Sequence, residues 1–306
     1  TQPRKDPDIW QSNITQTKSL LANRSLEPTN VFQDTVSATL SNHNFRRMVT
    51  TAALLDKASL DKAYSFYKQR FADANGFTFT IVGSFDVDKI KPLLEKYLGG
   101  LPSSGGNETY KDLGIHPPAG AITKEVHKGI GDKSSVQLVF SGDYDYNDNN
   151  NLQLDALNEI LNIKLIERLR EKEGGVYAPG VRVSHSKLPS GRYSITVYFG
   201  CAPANVDKLI AATMEEINKI KQNGPEAVDV QKFQAETTRA IEVDLKENSF
   251  WESHLTGAAQ NQENPDDALN WIHDLNKATV QTVKDAANKY LNESNFIKLI
   301  LLPEKK

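Results

Sequence analysis

The stretch Tyr193-Ser194-Ile195-Thr196-Val197-Tyr198-Phe199-Gly200-Cys201 alternates side chains with a period of two. Tyr193, Ile195, Val197 and Phe199 fall on one side, and Ser194, Thr196 and Tyr198 on the other, the pattern of a half-buried strand. Just upstream, Tyr177 to Ser186 has strand character, and Leu188-Pro189-Ser190-Gly191 between the two runs has the composition of a turn, which predicts a hairpin. Further upstream, Val136, Leu138 and Phe140 alternate with Gln137 and Ser141 in the same way. Between that strand and the hairpin, residues from about Asn151 to Lys172 carry Leu154, Leu157, Leu161 and Leu165 on one helical face. Ile160, Ile163 and Ile166 widen this face, and Gly174-Gly175 ends the helix, because glycine accepts the left-handed backbone of a C-cap.

After Pro203 the period becomes helical throughout. Val206, Leu209, Ile210, Met214, Ile217 and Ile220 mark one helix, ended by Gly224-Pro225, and Phe233, Thr237, Ala240, Ile241 and Leu245 mark the next. Shorter helical stretches follow, around Phe250 to Gln260 and Asp266 to Asp274. Strands first and helices later, joined through a hairpin, predict an α+β fold with an antiparallel sheet covered by helices on one face. A doubly wound parallel sheet needs strict strand–helix alternation, which is absent.

Two segments 220 residues apart resemble each other without a gap. One begins Leu55-Asp56-Lys57-Ala58-Ser59-Leu60 and ends in Phe79-Thr80-Ile81-Val82; the other begins Leu275-Asn276-Lys277-Ala278-Thr279-Val280 and ends in Leu299-Ile300-Leu301-Leu302. Each reads as a polar helix, a turn (Asp73-Ala74-Asn75, Glu293-Ser294-Asn295) and a strand. A repeat this long is a duplicated domain rather than a solenoid unit. On this reading residues 1–102 are the C-terminal part of one copy, 103–120 a Pro/Gly/Ser-rich linker, and 121–306 a complete second copy, so the chain begins inside a domain.

Composition narrows the function classes. The chain has 306 residues, 39% hydrophobic and 25% charged, the mix of an ordinary globular protein with enough length for a sizeable core. Its 36 Lys+Arg against 39 Asp+Glu give a net charge of −3, with no basic excess to draw nucleic acid or an anionic membrane. The richest apolar run, Phe296 to Leu302, is far short of the ~20 residues a membrane span needs. Cys201 is the only cysteine, so an intramolecular disulfide is excluded; at the end of an apolar strand it reads as a small buried hydrophobe. The six histidines (His43, His116, His127, His185, His254, His273) include no pair at helical metal-ligand spacing, and neither H-E-x-x-H nor H-x-x-E-H occurs. They read as surface or hydrogen-bonded structural residues. Gly129-Ile130-Gly131-Asp132-Lys133-Ser134 lacks the glycines of a phosphate loop and reads as a turn between strands.

The most distinctive stretch is Leu165-Ile166-Glu167-Arg168-Leu169-Arg170-Glu171-Lys172-Glu173-Gly174-Gly175-Val176-Tyr177-Ala178-Pro179. A buried helix delivers an arginine to its last turn, stops on two glycines and continues as a strand that carries a tyrosine. A guanidinium and a phenol brought to one rim of a sheet could both donate to a carbonyl or a developing oxyanion. From pattern alone, a charged helix end and an interfacial tyrosine are the better account of it.

This segment resembles the C-terminal-half motif of the pitrilysin (insulinase-type) zinc peptidases, in which an arginine and a tyrosine seven residues apart follow L-x-x-x-L-R; Arg170 and Tyr177 keep that spacing after Leu165 and Leu169. Tyr67-Lys68-Gln69-Arg70-Phe71, Phe77 to Asp86, and Tyr97-Leu98-Gly99-Gly100-Leu101-Pro102 are similar to the family as well. The resemblance, strongest to bacterial members, implies a mitochondrial-processing-peptidase-like domain and a place in the C-terminal half of a zinc metalloendopeptidase. It implies zinc and a catalytic glutamate in an N-terminal half, and none in this chain, which alone would be inactive. It assigns Arg170 and Tyr177 to the substrate or the transition state, and it names as partners the N-terminal half and an extended peptide added to a sheet edge. It favours the periplasm or cell envelope. The family also contains non-catalytic scaffold or partner subunits, and an unrelated α+β interaction domain is the reading if the motif is accidental.

Overall fold

The computed structural model describes residues 3–106 and 109–305, and of Tyr177 the backbone only. The chain forms two compact units that interleave along the sequence: residues 1–25, 49–111 and 244–265 in one, and 26–48, 112–243 and 266–306 in the other. The division at 102 and 120 concerns ancestry, and this interleaving does not decide it.

The larger unit contains the sheet. Strands β1 (Ala121–His127), β2 (Ser134–Asp143), β3 (Val176–Ser186), β4 (Arg192–Cys201) and β5 (Phe296–Leu302) lie in the order β1-β5-β2-β4-β3. All neighbouring pairs are antiparallel except β1 and β5, which run parallel. The β3–β4 hairpin forms as its alternation predicts, with Ile195 opposite Val183 and Val197 opposite Val181.

The helices of this unit are α2 (Pro28–Leu40), α6 (Asp148–Leu165), α7 (Val206–Asn223), α8 (Ala227–Asp244, whose last residue passes into the smaller unit), α10 (Trp271–Asp274) and α11 (Val280–Tyr290). Val136, Leu138, Phe140, Ile195, Val197 and Phe199, of one parity along β2 and β4, are buried. On the helical side α6 packs against β3 and α11 against β2, and α11 also contacts α6 and α7. The hydroxyl of Tyr193 donates to the carbonyl of Tyr290 at 3.0 Å, which ties β4 to the end of α11.

The α+β reading holds, and the structure adds a feature to it. The opposite parity, Val139 with Ile297, Leu299 and Leu301, is buried under Phe32 and Val36 of α2. β5 is apolar on both parities, so one helical layer could not have kept it from water. Helices therefore cover both faces around β5. Lys164 of α6 pairs at 2.8 Å with Asp229 of α8, which is only 1% exposed. Burial opposes the charge of Lys164, but the hydrogen bond and charge of Asp229, aided by Glu167 and Glu226, outweigh it and hold the ammonium above the usual lysine range.

The smaller unit holds α1 (Pro7–Ala22), α3 (Ala52–Leu55), α4 (Leu60–Phe71), α5 (Val87–Tyr97) and α9 (Asn248–Asn261). Ion pairs Lys5–Asp61 and Lys18–Asp56 join α1 to the segments around α3 and α4. Here a sequence expectation needs correcting: Phe79-Thr80-Ile81-Val82 is no strand among the described residues. The alternation is present, but a strand also needs a hydrogen-bonding neighbour, and none lies beside it.

Candidate functional site

The helix read as running to Lys172 changes its winding on the way. After α6 ends at Leu165, residues Ile166–Lys172 form a π-helix, and the N–H of Glu173 closes it on the carbonyl of Arg168 at 3.2 Å. Such wide turns cluster at functional sites because they re-aim the side chains they carry. Nothing in the spacing of Leu154 to Leu165 announces it. Its end is fastened by charge: Arg168 pairs with Glu173 and, at 3.0 Å, with Glu215 of α7, while Lys208 reaches Glu173 at 2.7 Å. This network was not anticipated from sequence; the five-residue step from Arg168 to Glu173 was its only signal.

Arg170 stands differently. It is exposed, and among the described residues it has no ion-pair or hydrogen-bond partner. The chain then stops on Gly174 and Gly175, both at positive φ (65° and 93°), as the C-cap reading expects.

The backbone re-enters the sheet with Val176 opposite Cys201 and Tyr177 opposite Gly200. Immediately afterwards the β3–β4 register shifts, a bulge between Tyr177 and Gly180, and Ala178 takes a left-handed φ of 44°. A bulge at a sheet rim bends the strand locally, and a non-glycine residue held in that region is strained. At Gly180 a Cβ would lie 2.5 Å from the hydroxyl of Tyr198, so a larger residue there would push that side chain aside. The π-helix packs on both β3 and α7, so the segment bearing Arg170 and the backbone of Tyr177 meet at one end of the sheet. The phenol of Tyr177 lies outside the described residues. β3 is an edge of the sheet.

The other candidates fall to structural roles. Cys201 is buried, and burial pushes its thiol up to about 11, far from a ready nucleophile. His185 stacks on Tyr144 and approaches Asp155 at 3.6 Å; His116 contacts the carbonyl of Pro117 at 3.0 Å, His127 the carboxylate of Glu125 at 3.3 Å, and His254 the carbonyl of Pro265 at 2.8 Å. Gly129 to Lys133 lies between β1 and β2 as a turn. No group of three or more His, Cys, Asp or Glu among the described residues could hold a metal ion.

The chain is similar to proteins already known. The chain is 29% identical over 248 residues to a protein of Arabidopsis thaliana called Zinc protease PQQL-like, covering 74% of this chain and 25% of that one. Overall it spans about a quarter of the length of the curated relatives it matches. Its fold superposes on the crystal structure of the periplasmic protease PqqL from Escherichia coli with a TM-score of 0.86 at 20% identity, over 98% of this chain and 33% of that one. It also superposes on the separately solved first half of PqqL, with a TM-score of 0.69 at 16% identity, over 99% of this chain and 67% of that one. The description Peptidase M16 inactive domain matches residues 57–236, more than half of the chain. That match places the chain in one family: it belongs to the Peptidase M16 inactive (C-terminal) domain family.

Proposed function

We propose that this chain is the C-terminal half of a zinc metalloendopeptidase and supplies Arg170 and Tyr177 as hydrogen-bond donors to a reaction centre in an N-terminal half. The observation that carries the reading is the contrast between two arginines of one turn. Arg168, half-buried, is held by Glu173 and Glu215, whereas Arg170 is exposed and has no such partner among the described residues, at the sheet end where the backbone of Tyr177 emerges. A clamped turn carrying one guanidinium without a partner among the described residues suits a group kept ready for a ligand. On this proposal zinc sits in the N-terminal half; the relatives' names, zinc proteases, support zinc in the parent protein. The part this chain plays is positional: the guanidinium and phenol donate to the carbonyl of an extended peptide and hold the negative charge that grows on its oxygen. Edge strand β3 offers backbone groups along which such a peptide can lie. Closure of the two halves brings the donors to the substrate. The periplasm or cell envelope is the proposed compartment, following the E. coli protease, which is called periplasmic.

The test uses the full-length enzyme. Tyr177→Phe should lower kcat about 10²–10³-fold, equivalent to about 2.7–4 kcal/mol, with little change in KM, melting temperature or metal content. Turnover equal to wild type would remove the tyrosine from the mechanism. A full-length chain that hydrolyses no peptide at all, with an intact fold, would favour the scaffold or partner-subunit reading.

A further inference from the structure

The π-helix Ile166–Lys172 is held by a pairing that suits a wide turn. The N–H of Glu173 donates to the carbonyl of Arg168 at 3.2 Å, and the side chains of the same two residues form an ion pair. In an α-helix each residue turns by about 100°, so two side chains five residues apart point about 140° from each other. In a π-helix the bond between residues five apart closes the turn, and the same two side chains return to one side. The Arg168–Glu173 pair is therefore available to the wide turn and lost to an α-helical one. It is also partly buried, the two side chains being 17% and 15% exposed. Helix α7 completes it: Lys208 reaches Glu173 at 2.7 Å and Glu215 reaches Arg168 at 3.0 Å. Lys208 and Glu215 are two helical turns apart and so share one face of α7. The result is a row of alternating charge, Lys208–Glu173–Arg168–Glu215.

Arg170 lies inside this closed turn and takes no part in the row. Its direction is set by the winding of the residues on either side. Rewinding the turn as α-helix would swing its side chain relative to α6 by as much as one residue's step, about 100°. We infer that Glu173 is a positioning residue: its carboxylate, shared between Arg168 and Lys208, holds the wide turn and so fixes where the Arg170 guanidinium points. The inference rests on the role proposed above for Arg170 and adds to it the residue that aims it. An arginine on a loose turn must lose backbone freedom when it meets a ligand; the fastened turn has lost that freedom beforehand.

The test compares single and paired substitutions in the full-length enzyme. Glu173→Gln, which removes the charge and keeps the shape, should lower kcat at least about tenfold with little change in KM, because small misplacements at a reaction centre are costly. The loss should not exceed that of Arg170→Ala, and Glu173→Gln should cost nothing further once Arg170 is alanine. Lys208→Gln, at the outer end of the row, should lower kcat by a smaller factor and supplies the same comparison should Glu173→Gln misfold. Lys219→Gln breaks an ion pair of α7 outside the row and should leave kcat at the wild-type value. Glu173→Gln should also speed hydrogen exchange at amide 173, which closes the turn. Unchanged kcat for Glu173→Gln beside a large loss for Arg170→Ala would overturn this inference and leave the peptidase reading intact. So would an equal loss from Glu173→Gln with and without Arg170, the mark of a merely structural role, and so would unchanged exchange at amide 173. Wild-type turnover by Arg170→Ala would instead overturn the peptidase reading, and this inference with it.

Discussion

The segments 60–82 and 280–302 are written in nearly the same pattern, and only one of them is folded into a sheet. Helix α11 buries Val283, Ala286, Ala287 and Tyr290, while on α4 the matching Ala63, Phe66, Tyr67 and Arg70 are exposed. The comparison separates two kinds of information. Caps and helix lengths are local and appear in both copies. Strand pairing and burial come from other parts of the chain, as β1, β2 and α2 supply them to β5.

The largest effect expected from this difference lies at the strand centres. Leu299→Ala removes a fully buried side chain and should destabilise the larger unit by about 2–5 kcal/mol in denaturant unfolding. Phe79→Ala, at the matching position where the side chain is 48% exposed, should change the stability of the 306-residue chain by no more than about 0.5 kcal/mol. Equal losses at 299 and 79 would break the comparison.

A smaller effect should come from alkaline pH. In the larger unit, burial pushes the Cys201 thiol from 9.0 up to about 11; burial and then the neighbouring Tyr290 push the Tyr193 phenol from 10.0 to about 12. Tyr144 is raised by burial as well, and Lys164 is held high despite its burial. Each group binds its proton more tightly folded than unfolded. Its stabilising contribution is therefore complete below the unfolded value and is lost as pH rises through the folded one. Thermal melts of the larger unit should be insensitive to these groups at neutral pH and fall progressively between about pH 9 and 12. A melting temperature that is flat across that range would contradict the buried, neutral state of these side chains.

The smallest effect concerns the caps, and here the copies should agree. Ser59→Ala and Thr279→Ala each remove a hydroxyl that accepts a first-turn N–H, at a cost of about 1 kcal/mol to their own helix. Amide exchange in the first turns of α4 and α11 would show it. A loss confined to Thr279 would mean that even the local signal depends on burial.

Much of the larger unit was legible in the sequence because its signals are local. The period of Tyr193 to Phe199 gave β4, the leucines from 154 to 165 gave α6, and Gly174-Gly175 gave its end. The position of α2 on the second face was not legible: Phe32 and Val36 lie about a hundred or more residues from the strands they cover. The π-helix was hidden because its wide turn goes with ion pairs to Glu215 and within the turn rather than with apolar spacing. The strand expected at 79–82 shows the reverse error, a correct alternation read without asking what would pair with it. At the candidate site, spacing marked Arg170 and Tyr177 only as a charged helix end and a strand tyrosine. Family resemblance, not physics, singled them out, and the exposure of Arg170 beside the fastened Arg168 is the structural support for the choice.

Peptide hydrolysis by the full-length enzyme carrying Arg170→Lys together with Tyr177→Phe is the most direct test of the claim that this chain completes a reaction centre elsewhere. The account predicts a loss of at least about 10²-fold in kcat, with metal content and melting temperature as in wild type, and a combined loss smaller than the product of the two single losses. Wild-type turnover by that double variant would contradict it.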